Sequence, residues 1–151
     1  MDEPPVLDQS IRRSGALIDY LARHLRRRSE SALVPLDLRP RHLVALTVLR
    51  TRGDVTQRDL ATALVLDSTN IVGLLNELEG KGLVERRRST EDRRRHVVSL
   101  TDAGNSLLCQ AETALSAVED EVFEALDPKQ RDQLHELLET ATAPVDAADL
   151  C

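Results

Sequence analysis

The stretch from Thr56 to Leu100 constrains this chain most, because its apolar residues change period from helical to alternating with only short segments between elements. Thr56 suits a helix N-cap, and Gln57 to Leu64 reads as a two-turn helix with Leu60, Ala61 and Leu64 facing inward. Val65 to Asp67 leaves room only for a turn. A second helix begins at Asp67 or Ser68, places Ile71, Leu74, Leu75 and Leu78 on one face, and stops at Lys81-Gly82. Helices this short, joined this tightly, predict a helix-turn-helix. Leu83 to Arg88 and His96 to Leu100 then read as strands, and the intervening Ser89 to Arg95 is too polar for a core, which predicts a β-hairpin with a charged tip.

Helices are expected on either side. Ile11, Leu17, Ile18, Leu21 and Leu25 give Leu7 to Leu33 an amphipathic stripe, and the Pro35 to Pro40 segment ends it. Leu43, Leu46, Val48 and Leu49 mark another helix that stops at Arg50 to Gly53, and Asp54-Val55-Thr56 is short and β-prone. Beyond the hairpin, Thr101 can cap a helix from Asp102 to about Leu126, striped by Leu108, Ala111, Leu115, Val118, Val122 and Leu126. Asp127-Pro128 suits the start of a last helix carrying Leu134, Leu137, Leu138 and Ala141. The expected fold is mainly α with a small β-hairpin wing. Residues 1–151 form a single domain, 38–100 are the winged helix-turn-helix, and 7–33 with 102–143 are the helical dimerisation region. These flanking helices carry more apolar surface than a small wing domain can cover, so a homodimer is expected.

Charge and composition narrow the function. The net charge of −6 speaks against nucleic acid as a single figure, but Leu38 to Leu100 holds 12 Lys and Arg against 8 Asp and Glu. The middle is basic and the ends acidic, which suits a DNA-facing centre on solvated helices. With one Tyr, one Phe and no Trp the chain lacks stacking platforms for single strands, which leaves duplex DNA. Cys109 and Cys151 are too far apart in sequence to suggest a disulfide framework or a metal site. No apolar run is long enough to span a bilayer and MDEPP is unlike a signal peptide, so a cytoplasmic protein without membrane contact is expected.

The second short helix presents Thr69, Gly73 and Asn76 opposite its apolar stripe, flanked by Asn70 and Val72. Asparagines can pair with adenine, Val72 can touch a thymine methyl, and Gly73 permits close approach to a groove floor. An ordinary solvated helix would look similar. The hairpin adds Arg86, Arg87, Arg88, Arg93, Arg94 and Arg95 on one small projection, where Asp92 can orient a neighbouring arginine while others meet phosphates or a narrow minor groove. The residues expected at the duplex are Thr56 and Gln57; Ser68, Thr69, Asn70, Val72, Gly73 and Asn76; and Arg88, Asp92, Arg93, Arg94 and Arg95.

Leu60-Ala61, the helix leading into Gly82-Leu83-Val84, Asp92-Arg93-Arg94, and Val98-Ser99-Leu100-Thr101-Asp102-Ala103-Gly104 together resemble the MarR family of bacterial regulators. The resemblance implies an obligate dimer, a palindromic operator, and relief of repression by a small phenolic or other inducer. It also implies that Arg94 enters the minor groove with Asp92 supporting it. The chain departs from the family in carrying Gly73 where many relatives have arginine. It also lacks a cysteine in its first helix, where peroxide-sensing members carry one; Cys109 is expected to be an inert apolar residue. No catalytic residue, cofactor or metal site is expected: there is no Gly-rich phosphate loop or nucleophile motif, and His24, His42, His96 and His135 lack ligand spacing. A winged domain that binds another protein instead of DNA is the competing reading.

Overall fold

The computed structural model describes residues 13–143. Its elements are α1 (Ser14–Leu33), a 3-10 turn (Val34–Leu36), α2 (Pro40–Arg52), β1 (Val55–Thr56), α3 (Gln57–Leu64), α4 (Ser68–Gly80), β2 (Val84–Arg88), β3 (His96–Leu100), α5 (Asp102–Val122) and α6 (Pro128–Thr142). The expectation that the first helix begins at Leu7 lies partly outside the described residues.

Local chemistry explains most boundaries. Thr56, Asp67, Thr101 and Asp127 each accept from a backbone N–H in the first turn of the helix they cap. Gly82 follows α4 at φ 71°, a left-handed conformation that stops the helix, and Leu83 N–H closes back onto Leu78 O at 3.0 Å. Val65 makes the turn between α3 and α4 at φ 55°, an arrangement that costs a β-branched residue about 1–2 kcal/mol.

One core joins the helix-turn-helix to the sheet. Leu46 and Leu49 of α2, Leu60 of α3, Leu75 and Leu78 of α4, Val98 of β3 and Leu108 of α5 are fully buried. The inward positions of the sequence stripes therefore meet, and truncating one such leucine to alanine carries a cost of about 2–5 kcal/mol. The sheet has three antiparallel strands in the order β1-β3-β2, so the β-prone Val55-Thr56 pairs with Val98 and Val97 on the far side of the hairpin.

Three expectations need correction. α5 ends at Val122, not near Leu126: Glu124 N–H bonds Glu121 O at 3.4 Å and Leu126 N–H bonds Phe123 O at 2.9 Å, turns that lead into the Asp127 cap of α6. Arg131 of α6 braces the helix end by donating from Nη1 to Asp120 Oδ1 at 2.7 Å and from Nη2 to Asp120 O at 3.2 Å. Cys109 is exposed on α5 and is not part of the apolar packing. The six wing arginines do not all project, as the interface geometry shows.

Candidate nucleic-acid interface

The wing tip is held by its own short side chains. Ser89 Oγ accepts from the N–H groups of Glu91 and Asp92 at 3.2 and 3.4 Å, and Ser89 N–H closes onto Arg95 O at 2.9 Å. Asp92 Oδ1 accepts from the Arg94 N–H at 3.0 Å, while Asp92 Oδ2 lies 3.5 Å from Arg95 Nε. The aspartate thus fixes the Arg94 backbone and steers the Arg95 head.

Two of the six hairpin arginines are engaged by the chain's own side chains instead of projecting free, contrary to the reading from sequence. Arg86 donates to Glu79 Oε2 at 2.6 Å and to Asn76 Oδ1 at 2.6 Å. Arg87 pairs with Asp54 and donates to Ser99 Oγ at 3.1 Å. The Ser99 hydroxyl and the Arg87 guanidinium hold the Asp54 carboxyl below the usual aspartate range. Among the described residues, Arg88, Arg93 and Arg94 have no carboxylate partner, and all are exposed. These are the charges left for an outside anion.

The outward face of α4 is small. Thr69, Asn70, Val72, Gly73 and Asn76 are all exposed. A Cβ built on Gly73 would meet nothing within 4 Å, so the fold itself has no need of glycine there. Mid-helix glycine costs about 1 kcal/mol relative to alanine. Gly73→Ala is accordingly expected to raise stability by about 0.5–1 kcal/mol in denaturant titrations while changing duplex affinity or sequence preference.

At the start of α4, Asp67 Oδ1 accepts from Asn70 N–H at 2.7 Å and Oδ2 from Asn70 Nδ2 at 2.9 Å. The Asn70 backbone bond holds the Asp67 carboxyl below its ordinary value. A group with a lowered folded-state pKa stabilises the fold fully above its unfolded value, near pH 4, and loses that contribution as pH falls through the lower folded value. Asp67→Asn is expected to show a shallower acid limb than the parent in melts run between about pH 5 and pH 3.

The rear of α4 is clamped to α2. Arg41 Nη2 donates to Glu77 Oε2 at 2.7 Å, and Lys81 pairs with Asp37 in the turn before α2. His42 is buried: its Nδ1 accepts the Arg39 N–H at 3.1 Å, so Nε2 carries the proton and donates to Glu77 at 2.8 Å. His42, then Arg41, hold the Glu77 carboxyl below its usual range. The sequence signal for this role is the place of His42 at the third position of a helix opened by Pro40.

The starts of α3 and α4 and the wing share one cleft of about 630 Å³, lined by Thr56, Gln57, Arg58, Ser68, Arg94 and Arg95. From sequence alone Arg58 is only one charge on a short amphipathic helix. Thr69, Val72, Gly73 and Asn76 lie farther along α4, outside that cleft, and Arg88, Asp92 and Arg93 belong to the hairpin beside it.

Two short helices, a tight turn and an arginine-tipped hairpin presented beside the second helix define a winged helix-turn-helix protein. The family model of the MarR family matches residues 38–96. Apo MarR from E. coli is 26% identical, with 87% of this chain and 98% of that chain covered at a TM-score of 0.77. A cysteine-to-serine variant of E. coli MarR complexed with operator DNA is also 26% identical, with 85% and 92% covered at a TM-score of 0.68. CouR, a transcriptional repressor bound to a 23-mer DNA duplex, is 31% identical, with 84% and 90% covered at a TM-score of 0.71. The chain belongs to the MarR family of transcriptional regulators.

Proposed function

We propose that this chain is a ligand-responsive repressor that binds a palindromic duplex operator as a homodimer. α4 enters the major groove and the wing reaches the adjacent minor groove, with Arg94 inserted and Arg88, Arg93 and Arg95 near phosphates. The observation that carries this reading is the shared cleft, in which Arg94 and Arg95 face the starts of α3 and α4 across one space. The operator-bound MarR variant and duplex-bound CouR support it by similarity.

The homodimer rests on uncovered apolar surface. Leu17 and Ile18 of α1 and Leu137 and Leu138 of α6 are exposed, and α6 buries none of its described residues within its own chain. Residues 7–33 and 102–143 form the dimerisation region in this reading, and 38–100 the DNA-binding region. Two copies related by a two-fold axis set two α4 helices about 34 Å apart, one DNA turn. Among the described residues, no helix is long and apolar enough to cross a membrane.

Selection from a random duplex library by the purified full chain tests the proposal. Enrichment of an inverted repeat with half-sites about 10 bp apart supports it. A library left unenriched at low salt overturns it in favour of a protein-binding winged domain. The inducer is tested separately by a shift in melting temperature and operator affinity; a phenolic panel that moves neither removes ligand response.

A further inference from the structure

Arg86 sits between two residues of α4 and is mostly covered, with 21% of its side chain exposed. Its Nη2 donates to Asn76 Oδ1 at 2.6 Å and to Glu79 Oε2 at 2.6 Å, and its Nε donates to the same Oε2 at 2.9 Å. Glu79 fixes the guanidinium, and the guanidinium fixes Asn76.

Chemistry sets which way that amide faces. A guanidinium only donates, so the atom it meets must be the amide oxygen, and the NH2 group points away from it. Asn76 is exposed, and among the described residues its Nδ2 donates to nothing. Asn70 contrasts with it: its Nδ2 is tied to Asp67, and Arg86 does not touch it.

An asparagine that reads adenine needs both ends of its amide, the nitrogen toward N7 and the oxygen toward the N6 amino group. In Asn76 the oxygen is held toward Arg86, with one lone pair taken, and the NH2 group is the end left to lead. We infer that Arg86 is a positioning residue that holds the Asn76 oxygen toward the wing and leads with its NH2 group, so that Asn76 favours guanine, with its paired acceptors N7 and O6, over adenine at the base pair it faces. The inference rests on the DNA-binding reading and deepens it by assigning part of its specificity to a residue whose own side chain is bonded to α4.

The test is duplex selection with the full chain and its Asn76→Ala, Arg86→Met, Arg86→Lys and Glu79→Gln variants, each checked by circular dichroism. Asn76→Ala identifies the base pair. At that pair the parent is expected to prefer guanine over adenine by about fivefold or more, the lower end of a good bidentate contact. Arg86→Met should lose this preference at that pair alone, and Arg86→Lys, which keeps a donor, should restore part of it. If Arg86→Met does not fold, Glu79→Gln supplies the same test, with a weakened preference at the same pair. Adenine at that pair in the parent, an unchanged preference in a folded Arg86→Met, or an Asn76→Ala profile identical to the parent overturns the inference while leaving DNA binding intact. No enrichment by the parent overturns the DNA-binding reading and this inference with it.

Discussion

Arg94→Ala is expected to weaken operator binding about tenfold or more and to reduce the slope of log K against log salt by about one. The Arg94 backbone is held by Asp92 at 3.0 Å, so the side chain leaves the wing from a fixed point, yet among the described residues no carboxylate neutralises it. An unneutralised guanidinium beside a cleft gives up no internal ion pair when it meets a phosphate or a narrow minor groove. Arg87→Ala is the control, because Arg87 is already paired with Asp54 and should leave the salt slope unchanged. Anisotropy titrations at several salt concentrations check both; equal affinity and equal slope for Arg94→Ala and the parent would show that the wing does not touch the duplex.

Gly104→Ala is expected to destabilise the fold by about 3 kcal/mol or more, at the upper end of overpacking costs. A Cβ at Gly104 would lie 2.1 Å from Leu83 O, 2.8 Å from Leu100 Cδ1 and 3.0 Å from Leu83 C. The leucine side chain can move. The Leu83 carbonyl cannot easily do so, because it accepts the Thr101 N–H at 3.1 Å at the root of the hairpin, and Thr101 Oγ1 also donates to Gly82 O at 2.7 Å. Relief therefore requires α5 to lift from the turn between α4 and β2. In a chain of 151 residues the melting temperature should fall by about 6–12 °C at matched protein concentration, since each kcal/mol is worth about 2–4 °C. A melting curve superimposable on the parent's would contradict the close packing of α5 on that turn. The opposite sign expected for Gly73→Ala makes the pair informative: one glycine is small for its own fold, the other for something outside it.

The helices and their caps were legible because their causes are local. Thr56, Thr101 and Asp127 act within three residues, and the apolar stripes of α3 and α4 are complete within each helix. The hairpin was legible for a similar reason, since its polar tip interrupts two β-prone runs. What stayed hidden was tertiary. Val55-Thr56 pairs with β3 across some forty residues of chain, which no local pattern encodes. The apolar phase of α5 continues through Val122 and Leu126, so the stop shows only in the backbone, where Glu124 and Leu126 bond three residues back. Arginine counting located the wing but could not separate Arg86 and Arg87, which serve the fold, from Arg88, Arg93 and Arg94, which remain unpaired among the described residues. That partition depends on where Glu79, Asn76 and Asp54 come to rest.

Two copies of this surface engage one double helix in this reading. Its most direct measurement is a titration of a selected duplex with the full chain, read by sedimentation for stoichiometry and by anisotropy for salt dependence. Two chains per duplex and a log K that falls linearly with log salt, with a slope set by several phosphate contacts, are expected. Saturation at one chain per duplex, or an affinity indifferent to salt, would contradict that reading.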